Sequence, residues 1–182
     1  MAHPFHDRVV PSAMINTLDV PTEKRLMANE PPFNSLPIKV LAIDPGKSTG
    51  WAEIFIEDKV IKLGMFGVCK DTTLVELIPN IKEADHLVYE AWLTRPKHLQ
   101  RGAFDWDPMI TPQVIGSFLT LCKALEKPEP AKQQPSIKPV GYAFAGMKYQ
   151  QGKQGTHWQD AMAHAVFYAV KKLGALPVRK TS

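Results

Sequence analysis

At 182 residues, 45% of them hydrophobic, the chain can build one well-buried core but not two. Its formal net charge of +4 is small but uneven: ten basic side chains between Lys123 and Lys180 face only Glu126, Glu129 and Asp160, which suits a polyanionic partner or a solvated basic tail equally. Cys69 and Cys122 exclude a disulfide framework, no run is long enough for a membrane span, and Met1 to Val10 lacks the apolar centre of a signal peptide, so a soluble cytoplasmic protein is expected.

Residues 1–37 carry six prolines and little sustained periodicity, and are expected to be an extension or docking arm ahead of a single domain over 38–176, with 177–182 as a tail. The run VLAID is apolar and branched, which predicts a buried strand, and Pro45-Gly46 predicts the turn that ends it. Asp44 therefore emerges at a strand tip. Trp51 to Ile56 alternates well enough to return as a second strand, and Val60 to Val68 gives a third. Asp71 to Ala84 is expected to be a helix, with Leu74, Leu77, Ile78 and Ile81 on one side. HLVYEAW, residues 86–92, is a short apolar strand with Glu90 near its end.

A loop over 93–108 carries Arg95, Lys97 and Arg101 among Phe104 and Trp106. Thr111-Pro112 offers a cap and a first-position proline for a helix to about Lys127, within which Gly116 suggests a close approach by a neighbour. Lys127 to Pro139 is a proline-rich connection, and Ile137 to Ala143 supplies a last strand. Thr156 and Gln159 fit a capping box, while Lys171, Lys172 and Gly174 fit the end of the same helix. Between those limits, His157, Asp160 and His164 fall three and four apart, on one helix face.

Three acids thus have structural reasons for unusual placement: Asp44 and Glu90 at strand tips, Asp160 in a helix's first turn. If the two strands are neighbours and the last helix packs over them, the acids gather with His157 at one edge. Like charges so close repel, and a divalent metal removes the problem. Hard oxygen donors suit Mg²⁺ or Mn²⁺, and two such ions held ~4 Å apart clamp the attacking and leaving oxygens of a phosphodiester. Each residue also has a plainer role available: Asp44 could cap the turn, Glu90 could pair with Arg95, and Asp160 could complement the helix dipole. His157 could ligate metal or relay a proton, and His164 has no assigned role.

IDPGKSTGWA, VYEAW and HWQDAMAHAVFYAV together resemble the RuvC-type Holliday-junction resolvases of the RNase H-like superfamily, especially bacteriophage versions, over residues 38–173. The resemblance implies an α/β fold with a mixed sheet of about five strands, three antiparallel and then parallel, flanked by helices. It implies Asp44, Glu90, His157 and Asp160 as catalytic residues holding two Mg²⁺ ions, with Mn²⁺ able to substitute, and a homodimer acting on four-way DNA junctions. Lys47, Lys148 and Lys153, with Arg95, Lys97 and Arg101, are candidate DNA contacts. The alternatives are another RNase H-like nuclease acting on flaps, RNA or branched phage DNA, and a non-catalytic nucleic-acid binder whose acids are structural.

Overall fold

The computed structural model describes residues 36–92, 107–149 and 156–178. The proposed extension up to residue 35, the loop with Arg95, Lys97 and Arg101, Lys153, and the tail beyond residue 178 lie outside the described residues. Among the described residues, no helix is long and apolar enough to cross a membrane.

Branched and aromatic runs form the sheet. Strand β1 spans Ile38–Asp44, β2 Thr49–Glu57 and β3 Val60–Cys69. β1 pairs antiparallel with β2, and β2 with β3. The second hairpin turns on Asp58 and Lys59, both at positive φ, 51° and 65°, as a two-residue turn matched to strand twist requires. β4, His86–Glu90, pairs parallel with β1, and β5, Ala131–Gln133, pairs parallel with β4. The sheet order is β3-β2-β1-β4-β5, the mixed five-stranded arrangement expected.

Alternate residues of the central strands feed two apolar layers, because successive side chains leave a strand on opposite faces. Val40, Ala42, Ala52, Ile54 and Val88 pack with Ala161, Met162, Ala165, Val166 and Ala169 of helix α4, His157–Lys172. Leu41, Ile43, Leu87 and Tyr89 pack on the other face with Ile81 of helix α1, Ile78–Glu83, and with Val114, Phe118 and Cys122 of helix α2, Asp107–Ala124. Each large side chain buried this way contributes about 1.5–3 kcal/mol. Cys69 and Cys122 are buried free thiols, which burial pushes up to about 12 and about 11.

Four local expectations are corrected. The helix expected over 71–84 shrinks to a 3-10 turn, Val75–Leu77, and α1. Leu74 at φ 58° reverses the chain, and Pro79 is accommodated because it falls in the first turn of α1, where its missing N–H costs nothing. α2 begins at Asp107 instead of at Thr111-Pro112, with Pro112 inside it, so packing of its apolar face outweighs one lost hydrogen bond. The stretch Ile137 to Ala143 is no strand: a 3-10 turn, Pro135–Ile137, leads into helix α3, Lys138–Phe144, with Pro139 in its first turn. The fifth strand is the short AKQ run upstream, whose identity comes from pairing with β4 more than from propensity. Finally, among the described residues no atom outside the backbone of its own helix lies within 4 Å of the position a Gly116 Cβ would take.

Beneath α1 lies a buried ion pair. Lys39 Nζ is 2.7 Å from Glu53 Oε1 and 2.9 Å from Glu83 Oε2, while Asn80 Nδ2 donates to Glu53 Oε1 at 2.8 Å. Glu53 is fully buried and its Oε2 has no hydrogen-bond partner among the described residues. Burial alone would lower the Lys39 pKa, but Glu53 and Glu83 outweigh it and hold the ammonium above its ordinary range. Lys39→Met is therefore expected to cost about 3–5 kcal/mol in urea unfolding, because it strands the Glu53 charge, and adding Glu53→Leu is expected to recover most of the loss. A double variant no more stable than Lys39→Met would overturn that account.

Candidate active site

The register of β1 against β4 sets Ile43 opposite Tyr89, so Asp44 and Glu90, the last residues of their strands, finish side by side at one edge of the sheet. Two glycines let helices close over that edge. Gly50 sits opposite Asp44 on β2, and a Cβ there would lie 2.0 Å from the His157 carbonyl carbon. Gly141 on α3 would place a Cβ 2.4 Å from the Ala163 carbonyl oxygen. The first turn of α4 is thereby pressed against the tip of β1. The expected capping box is present there, with the Thr156 N–H donating to Gln159 Oε1 at 3.2 Å. Gly174 lies just past the helix end at φ 70°.

The four residues anticipated from sequence converge. His157 Nδ1 stands 3.0 Å from Asp44 Oδ2. Lys138 Nζ, at the start of α3, is 2.6 Å from Glu90 Oε2, 2.9 Å from Asp160 Oδ2 and 3.4 Å from Asp44 Oδ1. Tyr142, one turn along α3, donates its hydroxyl to Asp160 Oδ1 at 2.7 Å. His164, fully buried, places Nε2 2.9 Å from Glu90 Oε2 and Nδ1 2.7 Å from Gln133 Oε1. Glu90 therefore pairs with Lys138 and His164.

Three carboxylates around one ammonium answer the charge problem in a way sequence reasoning missed. Crowded acids alone call for a metal as counter-charge; the chain supplies Lys138. That residue lay in a stretch expected to be a strand. Pro139 directly after it, a common first-turn residue, was the available signal that a helix starts there.

Burial pushes the Asp44 carboxyl above its usual range, further than the His157 hydrogen bond and Lys138 bring it down. The hydrogen bond to Asp44 raises the His157 pKa against its partial burial, so the ring holds a proton more readily than a free histidine. Burial alone would lower Lys138, but Asp44, Glu90 and Asp160 hold it well above the ordinary lysine range. Burial, with the Asp160 contact, raises the Tyr142 phenol. Burial, with Lys138 nearby, drives His164 down to about 4, so its ring is neutral at physiological pH.

Do these residues suit a divalent cation? Among the described residues, no three His, Cys, Asp or Glu groups are placed to hold a metal ion by themselves. They are spaced instead around the Lys138 ammonium. The donor set nevertheless fits: three carboxylates outnumber the single lysine, and carboxylate oxygens are the ligand chemistry of Mg²⁺ or Mn²⁺.

Of the other anticipated residues, Lys47 is exposed in the turn after β1, and Lys148 is exposed beyond α3. Beside the acids, Trp158 of α4 stacks on Phe66 of β3, ring centroids 4.1 Å apart.

A mixed sheet of this order with flanking helices is an RNase H-like fold. The chain is similar to the structure of T. thermophilus RuvC in complex with a Holliday junction substrate, at TM-score 0.53 and 15% identity, over 75% of this chain and 97% of that one. No protein-family model matches the chain, and a search of curated proteins finds no match.

Proposed function

We propose that this chain is a metal-dependent endonuclease that resolves four-way DNA junctions by paired phosphodiester hydrolysis as a homodimer. The observation that carries this reading is the convergence of Asp44, Glu90, Asp160 and His157 about one cationic position, on a fold shared with a protein solved on a Holliday junction. Asp44, Glu90 and Asp160 would hold Mg²⁺ or Mn²⁺, with His157 beside them as a proton donor. When bound, the ions supply an activated water and neutralise charge on the phosphodiester.

The chain's own groups account for the rest. Three elements fix the carboxylates, so orientation is set before substrate arrives. His157, its proton held by Asp44, is placed to donate at Nε2 to a departing oxygen. Lys138 keeps its charge at any physiological pH and can meet a phosphate oxygen once displaced from the acids. Tyr142 restrains Asp160. Lys47 and Lys148, both exposed, are candidate backbone contacts, as are Arg95, Lys97, Arg101 and Lys153.

One observation favours a second reading. An ammonium that already satisfies three carboxylates is what a junction-binding protein without catalysis would also need. Labelled junction, flap, hybrid and duplex substrates with 10 mM-scale Mg²⁺ or EDTA separate the readings. Roughly symmetric nicks in the junction, dependent on metal, are expected. Salt-sensitive binding without any nick would establish the second reading.

A further inference from the structure

His164 has no task in the chemistry above, yet it is the most deeply placed polar group near it. It lies one helical turn beyond Asp160, fully buried on the sheet-facing side of α4 among Ala161, Ala165 and Met162. An aliphatic side chain would fill that space without the desolvation cost of an imidazole. The imidazole is matched at both nitrogens: Nε2 stands 2.9 Å from Glu90 Oε2 and Nδ1 2.7 Å from the Gln133 carboxamide. Gln133 is itself buried and sits directly opposite Glu90 in the β4–β5 register. The Ala91 N–H donates to the Gln133 carbonyl at 2.7 Å, so the backbone fixes this pair as well.

We propose that His164 and Gln133 are positioning residues for Glu90: a buried carboxamide–imidazole pair that holds its carboxylate in the orientation needed to bind metal. The proposal rests on the nuclease reading. Facing a carboxylate, Nε2 carries the hydrogen and donates to Glu90. Gln133 then serves Nδ1 with whichever end of its amide the ring requires, since a carboxamide offers both a donor and an acceptor. Lys138 also contacts Glu90 Oε2, but it occupies the ground that a metal cation would take. His164 approaches from inside the protein and does not compete for that ground. Glu90 ends its strand, and its flexible side chain would otherwise spread over several rotamers.

The test is a Mn²⁺ titration of the full chain by calorimetry, without DNA, alongside the Mg²⁺ dependence of junction nicking. His164→Leu is expected to weaken Mn²⁺ binding by about 10–100-fold and to raise the Mg²⁺ needed for half-maximal nicking by a similar factor. His164→Gln, whose amide can still donate to Glu90, is expected to recover most of that loss. A purely structural role would lower melting temperature and leave both metal midpoints unmoved. Gln133→Leu, which keeps the ring, is expected to give a smaller shift of several-fold, and it carries the test alone if His164→Leu does not fold. A wild-type chain that binds Mn²⁺ and nicks, with variant midpoints unchanged, overturns the positioning role only. A wild-type chain that binds no Mn²⁺ overturns the nuclease reading and this proposal with it.

Discussion

Asp44→Asn is expected to abolish metal-dependent nicking, a loss of about 10³-fold or more, while the protein folds and binds junctions as before. Asp44 is the one carboxylate in contact with both His157 and Lys138. Its replacement alters, in one change, an oxygen of the proposed metal site and the partner whose hydrogen bond raises the His157 pKa. Stability should not suffer. Burial disfavours the Asp44 charge and raises its pKa, so the native state bears a cost at neutral pH that a neutral amide avoids. The linkage sign agrees: an acid whose folded pKa is raised destabilises the native state as pH rises past its unfolded value. A melting temperature no lower than wild type, together with lost cleavage, is the expected pattern. Cleavage at the wild-type rate in folded Asp44→Asn would remove the catalytic role of this cluster.

That placement of Asp44 was legible in the sequence because local rules agreed about it. An apolar branched run bounded by Pro-Gly can only be a buried strand ending at that acid. α4 was legible for a similar reason: caps at both ends and one mixed face gave consistent signals. Where local signals conflicted, reading failed. Asp71 to Ala84 has helical apolar spacing, but Pro79 and the left-handed Leu74 divide it, and only the second half is α-helical. Ile137 to Ala143 has strand-like composition, yet Pro139 and packing against α4 make it a helix.

The lysine at the site's centre was illegible for a different reason. Asp44, Glu90, His157 and Asp160 each lie at a recognisable element end within a motif. Lys138 comes to them only because Gly141, one turn later, lets α3 lie against the Ala163 backbone. No spacing rule relates residue 138 to residues 44, 90 and 160. Likewise Gln133 reaches His164 through strand pairing that a three-residue AKQ run does not announce. Roles carried by convergence in space need the fold before they can be read.

Gly50 tests that dependence most severely. Its φ is not left-handed, so backbone freedom is not its constraint: its missing side chain is what brings α4 against β2. A Cβ at Gly50 would meet His157 C at 2.0 Å, His157 O at 2.1 Å and Trp158 N at 2.5 Å, all of them backbone and unable to swing aside. Gly50→Ala is therefore expected to cost about 3 kcal/mol or more in urea unfolding, at the upper end of overpacking penalties. Where the variant still folds, the first turn of α4 must retreat from β1. His157 and Asp160 ride on that turn, so nicking should fall by about 10²-fold even at metal saturation. Gly116→Ala is the matched control, because among the described residues no atom beyond its own helix backbone lies near its Cβ position, and the glycine sits in the interior of α2. That change should stabilise by about 0.5–1 kcal/mol through helix propensity and leave nicking untouched. If Gly50→Ala and Gly116→Ala behaved alike, close approach of α4 to the sheet would not be what assembles the site.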